Sequence, residues 1–406
     1  MTPRKTRTAT ALTCAVLAGS GLLAGCQNGS DAKSPSASSA SASAKPHGYV
    51  EGAEEASEQQ SRLVLADAGT GAVEVLDLIT EDTTSLEHGD DVRGLRTDGR
   101  FAYLSADGGT RVLDTGAWTV DHGDHVHYYR AAIRDIGAIA GTDAAHIRSD
   151  RTVTAVSSAE GGTQLLDRRK LEDGTVPRGT ELTGVGSGVV VPYKERLLVT
   201  AAGSGKDTVE VRDRDGARVI ALKEPCSQAH GEAVTRRGVV FGCADGALLV
   251  SEDKGTFEAE KIPYGTAVGA PERATEFHHR AGSTTLAARS GDDAVWVLDV
   301  TDRSWTRIRT GPAMAANTAG EGAPLLVLGE DGALTAYDIT TGRSIARKEL
   351  LPEGAESASV EIDTTRAYVN DAAGRKVYEI DYSDRLRLAR TFRLDFSPTY
   401  MVEAGR

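Results

Sequence analysis

The sequence repeats one pattern of strands from Arg62 to the C-terminus. Each repeat has a short apolar run, a turn rich in Gly and Asp, a second run that alternates apolar and polar residues, and a closing acid, which is the pattern of a β-hairpin. The hairpins begin at Arg62, Arg100, Arg151, Arg196, Gly238, Thr284, Pro324 and Arg366. Their spacing of about 43 residues is typical of four-stranded propeller blades. The sequence therefore predicts an all-β fold, a single β-propeller over residues 61–406. Eight blades are favoured, and seven are the alternative if one hairpin is an insertion or the terminal pieces share a blade.

The N-terminus has the features of a lipoprotein signal. Arg4, Lys5 and Arg7 precede an apolar run that ends in LAGC, where the Cys is Cys26, and this ending resembles a bacterial lipobox. We therefore predict a signal peptide over residues 1–25, cleavage before Cys26 and lipidation of its sulfur. The alternative is plain secretion, in which Cys26 has no special role.

Residues 26–60 are predicted to be a disordered tether. The segment is dominated by small and polar residues, as in SPSASSASASAKP, and it cannot bury enough apolar surface to offset the loss of chain entropy. Together with the lipid anchor, the tether predicts an extracytoplasmic protein held at the outer face of the bacterial cell membrane.

The overall charge argues against nucleic acid as a partner. The formal net charge is −13, from 59 acidic and 46 basic residues, and there is no long basic run. Phosphate binding requires a clustered positive face. We expect a monomer that uses no nucleic acid.

Two cysteines remain for the folded part of the chain, Cys226 and Cys243. In an oxidising compartment such a pair most often forms a disulfide. The alternative is a pair of thiolate metal ligands.

Three of the nine histidines lie within six positions of the segment TVDHGDHVHYYRAA. In an extended strand, His125 and His127 point to the same side, and His122 is one short step away. Neutral imidazoles are ligands for zinc, copper or nickel. Asp124 can add an oxygen ligand or orient an imidazole. The alternative is a soluble surface loop without a metal.

Further imidazole ligands are expected from other blades. His146 and His230 each stand shortly before an apolar run, at the position where an innermost strand would begin. The hypothesis is that they meet His122, His125 and His127 around one cation at the mouth of the ring.

The segments DHGDHVHYY, AHGEA and HGYVEGAEE resemble the AztD-type zinc metallochaperones. This resemblance extends over essentially the whole mature chain. It implies an extracytoplasmic β-propeller that holds Zn²⁺ and hands it to the zinc-binding solute-binding protein of an ABC importer, with His122, His125 and His127 as the main metal positions. Some members have a histidine-rich N-terminal segment, whereas the tether here contains His47 alone.

Two other functions are compatible with the sequence. A histidine site with an open metal position can activate water, as in a metal-dependent hydrolase or lyase. A propeller can also be a protein-interaction platform with an incidental metal. No nucleophile motif or redox-cofactor motif stands out, so we expect no enzymatic activity.

Overall fold

The computed structural model describes residues 49–86, 91–123, 125–185, 188–200, 208–353, 355 and 357–406. The predicted signal peptide of residues 1–25, the lipidation site Cys26, His47 and the candidate ligand Asp124 lie outside the described residues. Within the described ranges, no helix is long and apolar enough to cross a membrane.

The described residues form short antiparallel strands, one helix, α1 (Arg168–Glu172), and one 3-10 turn (Ala270–Glu272). The first strands are β1 (Glu54–Ala56), β2 (Arg62–Ala66), β3 (Val73–Asp77), β4 (Thr83–Leu86), β5 (Gly94–Thr97), β6 (Phe101–Ala106), β7 (Gly109–Asp114), β8 (Ala117–Asp121), β9 (Val126–Arg130), β10 (Arg134–Ala140), β11 (Ala144–Ser149) and β12 (Val153–Ser158).

The strands in the middle of the chain are β13 (Thr163–Asp167), β14 (Thr180–Leu182), β15 (Val190–Tyr193), β16 (Arg196–Thr200), β17 (Thr208–Arg212), β18 (Arg218–Pro225), β19 (His230–Thr235), β20 (Gly238–Cys243), β21 (Gly246–Asp253) and β22 (Thr256–Pro263). The last strands are β23 (Thr285–Ser290), β24 (Ala294–Asp299), β25 (Ser304–Arg309), β26 (Ala313–Thr318), β27 (Leu325–Gly329), β28 (Ala333–Tyr337), β29 (Ser344–Glu349), β30 (Val360–Ile362), β31 (Ala367–Asp371), β32 (Lys376–Asp381), β33 (Arg387–Arg393) and β34 (Tyr400–Ala404).

Eight antiparallel sheets of the described chain form the blades of a propeller. From the innermost strand outward, blades one to eight are β34-β2-β3-β4, β5-β6-β7-β10, β11-β12-β13-β14, β15-β16-β17-β18, β19-β20-β21-β22, β23-β24-β25, β26-β27-β28-β29 and β30-β31-β32-β33. In blade six the innermost position is taken by His278, which forms a single bridge to Ala287 of β23.

The C-terminal strand closes the ring. β34 pairs with β2 from Arg62↔Ala404 to Ala66↔Tyr400, so the end of the chain completes the first blade. β34 also contacts β5 and β30, the innermost strands of the two neighbouring blades. The single eight-bladed β-propeller is therefore confirmed, and each of the eight predicted hairpins forms two adjacent strands of one blade.

The core lies between the blades, as β2 illustrates. Leu63 and Leu65 pack into a cluster with residues of blade eight, and Val64 and Ala66 pack into a cluster with residues of blade two. All four side chains are fully buried. Successive residues of one strand point to opposite faces, and each face packs against an adjacent blade. The first run of each hairpin is therefore apolar throughout.

The arginine and the acid at the two ends of a repeat are cross-strand partners. Arg62 pairs with Asp77 at 3.1 Å and Arg100 with Asp114 at 2.9 Å. Burial alone raises the pKa of Asp114, but hydrogen bonds from Arg100 and then Arg134 outweigh it and lower that pKa. The closing acid of these repeats is therefore a charged structural residue.

Cys226 and Cys243 form a disulfide with an S–S distance of 2.05 Å, and both residues are buried. The predicted disulfide is confirmed, and the alternative of two thiolate ligands is excluded. The bond links the segment before β19 to the end of β20 within blade five.

The tether predicted for residues 26–60 ends earlier than expected, because β1 lies within it. The backbone of β1 pairs with β9 from Glu54↔Arg130 to Ala56↔Tyr128. Ala53 is buried in a cluster with Trp118 and Tyr129. Pairing with a distant strand orders a segment whose composition alone predicts disorder.

Candidate metal centre

A three-stranded sheet, here called the insertion sheet, consists of β1, β8 and β9 in the order β1-β9-β8. β8 and β9 form a hairpin inserted between β7 and β10 of blade two, and β1 comes from the segment ahead of blade one. The hairpin is the segment in which the sequence concentrates its histidines. Two parts of the chain that are distant in sequence therefore meet at this hairpin.

A tight turn between Asp121 and Val126 brings the histidines together. The backbone N–H of His122 donates to the carbonyl oxygen of His125 at 3.0 Å. The side chain of Asp121 accepts from the N–H of Gly123 at 2.7 Å, and Gly123 has φ +91°, a conformation that favours glycine. The turn reverses the chain so that His122 lies beside the histidines at the start of β9.

His122, His125 and His127, here called the histidine triad, lie against one another. The ring of His122 stacks on that of His125 with centroids 4.8 Å apart, and the ring of His127 meets both at nearly right angles, at 5.3 and 4.9 Å. One nitrogen from each ring lies within 4.8 Å of the other two. In the part of the chain that the structure describes, these are the side chains grouped closely enough to hold a metal ion.

The arrangement fits a four-coordinate divalent cation. Zinc binds imidazole nitrogen at about 2.0–2.1 Å, which places tetrahedral ligand nitrogens roughly 3.3 Å apart. The triad nitrogens need to approach one another by a small movement, and two of the three histidines lie in or beside the turn. Three ligands leave a fourth position for an incoming ligand.

Glu55 of β1 contacts the triad, and the sequence analysis did not single it out. Its Oε1 lies 2.7 Å from Nδ1 of His127. A carboxylate on the second ring nitrogen fixes the tautomer and orientation of a metal-ligating imidazole. No periodic pattern marks Glu55, and the signal that contains it is the segment HGYVEGAEE, quoted above for its family resemblance.

Aromatic residues form a rigid base under the triad. Tyr129 is fully buried and stacks on Trp118 with ring centroids 5.4 Å apart, and its other neighbour is the His127 ring at 6.3 Å. Burial, and secondly the Glu55 carboxylate, raises the pKa of Tyr129. Tyr129 therefore stays neutral and supports His127 without competing for a cation.

The insertion sheet spans one end of the central channel. The hydroxyl of Thr119 donates to the carbonyl oxygen of Gly405 at 2.7 Å, next to the innermost strand of blade one. On the far side, Arg236 follows the innermost strand of blade five, and its guanidinium lies 3.4 Å from a carboxylate oxygen of Asp121. Blades one and five are opposite each other in a ring of eight, so the triad lies over the channel end.

His146 lies in the channel, apart from the triad. As predicted, it is on an innermost strand, β11, and it lines a channel cavity of about 710 Å³. Its Nδ1 lies 3.3 Å from Oε1 of Glu232, to which Arg148 also binds at 3.1 Å. Burial by itself raises the pKa of Glu232, but Arg148 and then His146 outweigh it, and the net effect is a lowered pKa. His146 thus contacts a buried carboxylate that Arg148 also binds.

His230 also lies outside the triad. It begins β19, the innermost strand of blade five, as predicted, and its Nδ1 faces the carbonyl oxygen of Gln228.

His278 lines the channel cavity, whereas Nε2 of His279 lies 3.2 Å from the carbonyl oxygen of Val234. Desolvation, with Arg406 and Arg148, lowers the pKa of His279 to about 3. The hypothesis predicts that imidazoles from separate blades meet at one ion. In the described residues the grouped imidazoles are instead those of the histidine triad, which all come from one hairpin.

Comparisons with known proteins identify the fold. No family model and no curated protein matches the sequence. Two solved structures of AztD from Citrobacter koseri are similar over 86% and 85% of this chain and 98% of theirs, with TM-scores of 0.71 and 0.70 at 18% and 17% identity. The dihydro-heme d1 dehydrogenase NirN is similar over 85% of this chain and 75% of its own, with a TM-score of 0.56 at 14% identity. The AztD resemblance found in the sequence is thus confirmed at the level of structure, and the chain is an eight-bladed propeller with the AztD fold.

Proposed function

We propose that this protein is an extracytoplasmic zinc metallochaperone of the AztD type. It holds Zn²⁺ in the histidine triad and delivers it to the zinc-binding solute-binding protein of an ABC importer. The observation that carries the proposal is the grouping of three imidazole nitrogens within 4.8 Å of one another on an exposed hairpin. The AztD fold and the sequence segments that resemble this family support zinc as the cation.

The placement of the triad suits transfer. His125 is exposed and His122 and His127 are half-buried, so another protein can reach the ion from the outside. The fourth coordination position accepts a ligand from that protein while the triad still holds the ion. Ligands can then exchange one at a time, and the free aqueous ion is avoided.

The cellular setting of the proposal comes from the sequence. The lipobox-like ending at Cys26 and the tether support a carrier anchored at the outer face of the bacterial cell membrane, and we propose that it is a monomer. The net charge of −13 favours cations near the surface within a screening length of about 8–10 Å. We infer a binding protein and not an enzyme.

A zinc titration tests the proposal. The wild-type protein is expected to bind one Zn²⁺ per triad, and a variant with His125→Ala and His127→Ala is expected to bind at least about 100-fold more weakly, since one ligand remains. His278→Ala is the matched control, because it removes an imidazole from the channel cavity. Mixing the loaded protein with the solute-binding protein then measures transfer.

Three outcomes decide between the functions. Absence of zinc uptake by the wild-type protein would leave the interaction platform. Turnover of ester, lactone or phosphate substrates that His127→Ala abolishes would identify a hydrolase. Delivery by direct contact requires that zinc reaches the solute-binding protein faster than it dissociates into a chelator. Zinc binding with equal rates of the two processes would contradict it.

A further inference from the structure

The strand β1 connects the metal centre to the N-terminal segment of the chain. It has three residues and lies at the edge of the insertion sheet, where it pairs with β9. Residues ahead of it lead to the predicted tether, and residues after it lead to blade one. The segment Ala53–Ala56 is called the strap below.

One side chain of the strap holds a triad histidine in place. Oε1 of Glu55 lies 2.7 Å from Nδ1 of His127. A carboxylate at this distance accepts the Nδ1–H, which leaves the lone pair on Nε2 for a metal. Glu55 is about half-exposed and its carboxylate does not belong to the group of candidate ligands, so it acts through His127.

The preceding residue offers a comparison within the same strand. Glu54 points away from Glu55, as successive residues of a strand do, and its carboxylate binds Arg130 at 2.9 Å. The Glu54–Arg130 pair is largely exposed, and such pairs contribute little to stability. Glu54 therefore lies in the same strand as Glu55 and has the same charge, but it binds Arg130 instead of a triad histidine.

The strap is held by a small apolar contact. Ala53 is 9% exposed and packs with Trp118 and Tyr129, and Tyr49 and Val50 are partly buried against the same cluster. The backbone of the strap pairs with three residues of β9. The strap strand has three residues and is mostly exposed, whereas a blade strand such as β2 is buried throughout, so a smaller change in free energy docks or releases the strap than opens a blade.

We propose that docking of the strap and zinc occupancy of the triad stabilise each other, with Glu55 as the positioning residue for His127. The inference rests on the proposed zinc binding by the triad. Coupling of two binding events is reciprocal, so zinc must favour the docked strap by the same factor by which the docked strap favours zinc. Withdrawal of the strap then lowers zinc affinity and promotes release.

Zinc titrations of strap variants of the full mature chain test the positioning role. Glu55→Ala is expected to weaken Zn²⁺ binding about 10–100-fold, as loss of a carboxylate that orients a ligand does. Glu55→Gln retains an oxygen that accepts from Nδ1–H, so it is expected to restore part of the affinity. Glu54→Ala is the matched control, with a change of less than about twofold.

Hydrogen exchange tests the coupling itself. Added Zn²⁺ is expected to slow amide exchange in residues 53–57 of the wild-type protein, and to do so much less in Glu55→Ala. Ala53→Asp, which disrupts docking but retains Glu55, is expected to weaken zinc binding as Glu55→Ala does. Circular dichroism and the melting temperature check that the propeller stays folded in each variant.

Two results would overturn the inference. One is equal zinc affinity for Glu55→Ala and Glu54→Ala, and the other is unchanged exchange of the strap on zinc binding. In both cases the wild-type protein still binds zinc through the triad, so the proposed function survives. Failure of the triad titration is a different result and contradicts the proposed function.

Discussion

The insertion sheet and the central channel both contain histidines, but the neighbours of those histidines differ. In the insertion sheet the three rings face one another, and Glu55 is the carboxylate at His127. In the channel, His146 faces Glu232, which already binds Arg148. A cation placed beside His146 would meet a guanidinium, whereas one placed in the triad would meet nitrogen lone pairs and a nearby carboxylate.

The partners of a histidine affect how favourable a cation beside it is. Two unit charges 4 Å apart interact by about 4 kcal/mol at the effective dielectric of a protein surface, and the effect is larger for a divalent ion. Arg148 and Arg96 both act on Glu232, so the channel site is already electrostatically satisfied.

Removal of the disulfide is expected to affect the ring and not the metal site. The Cys226→Ser, Cys243→Ser variant should lose about 3 kcal/mol of unfolding free energy, because the bond closes a loop with a sequence separation of 17. Urea unfolding measures the loss, and a zinc titration should change by less than about twofold. A tenfold weaker zinc affinity would show that blade five, which contains His230, contributes to binding.

Glu232→Ala is expected to lower stability, whereas Glu55→Ala is expected to lower zinc affinity. Glu232 is buried, and its removal leaves Arg148 and Arg96 without their carboxylate, at a cost of about 2–3 kcal/mol of stability. Arg148 is one-third exposed, which reduces the cost. Glu55→Ala should instead weaken zinc binding and leave stability nearly unchanged. Equal effects of the two variants on both measurements would contradict the separation of the two regions.

Fold stability and zinc binding should respond to pH in opposite directions. Burial raises the pKa of Glu403 from 4.5 to about 7. Arg406 opposes this shift, and the nearby carboxylates of Asp363 and Glu361 add to it. The folded state then binds more protons than the unfolded state between those values, so unfolding free energy falls as pH rises from about 5 to 7, by roughly 2 kcal/mol.

Glu403→Gln should flatten that pH dependence, and urea unfolding at several pH values measures it. Zinc binding should strengthen over the same range, because fewer protons compete for the imidazole nitrogens. If the unfolding free energies of the wild-type protein and of Glu403→Gln changed equally with pH, the raised pKa of Glu403 would be contradicted.

The smallest effect is expected from the channel-side histidines. A variant with His146→Ala and His230→Ala should change zinc affinity by less than about twofold, since neither side chain belongs to the triad. The titration is the same one used for His125→Ala with His127→Ala. A loss comparable to that of the triad variant would mean that ligands from separate blades do meet the ion.

Most of the ring could be predicted from local patterns. The first strand of each hairpin is largely buried on both faces, and a second strand follows after a short turn, so apolar runs and Gly/Asp turns reveal all eight blades. A blade shared by the two ends of the chain favours seven blades at the level of sequence, yet β34 completes blade one by pairing with β2 and the ring still has eight blades. The strap falls within the predicted tether because its composition is small and polar, and its pairing with the distant strand β9 leaves no sign in the sequence.

The site was predictable to the extent that it is local. His122, His125 and His127 lie within one hairpin, so their sequence spacing already brings them together. His146 and His230 were correctly placed on innermost strands, but their neighbours depend on side chains from other blades. The contacts of Glu232 with Arg148 and His146 join strands of blades three and five, and no sequence pattern reveals such contacts.

The sequence by itself determined the repeating hairpins, the disulfide pair and the three clustered imidazoles, because each depends on residues close together in the chain. Tertiary structure decided that β34 closes the ring, that the insertion sheet spans the channel end and that Glu55 lies beside His127. These features join segments up to the full length of the chain apart. Contacts over such separations form when the ring closes, because closure fixes which blades and which edge strands become neighbours.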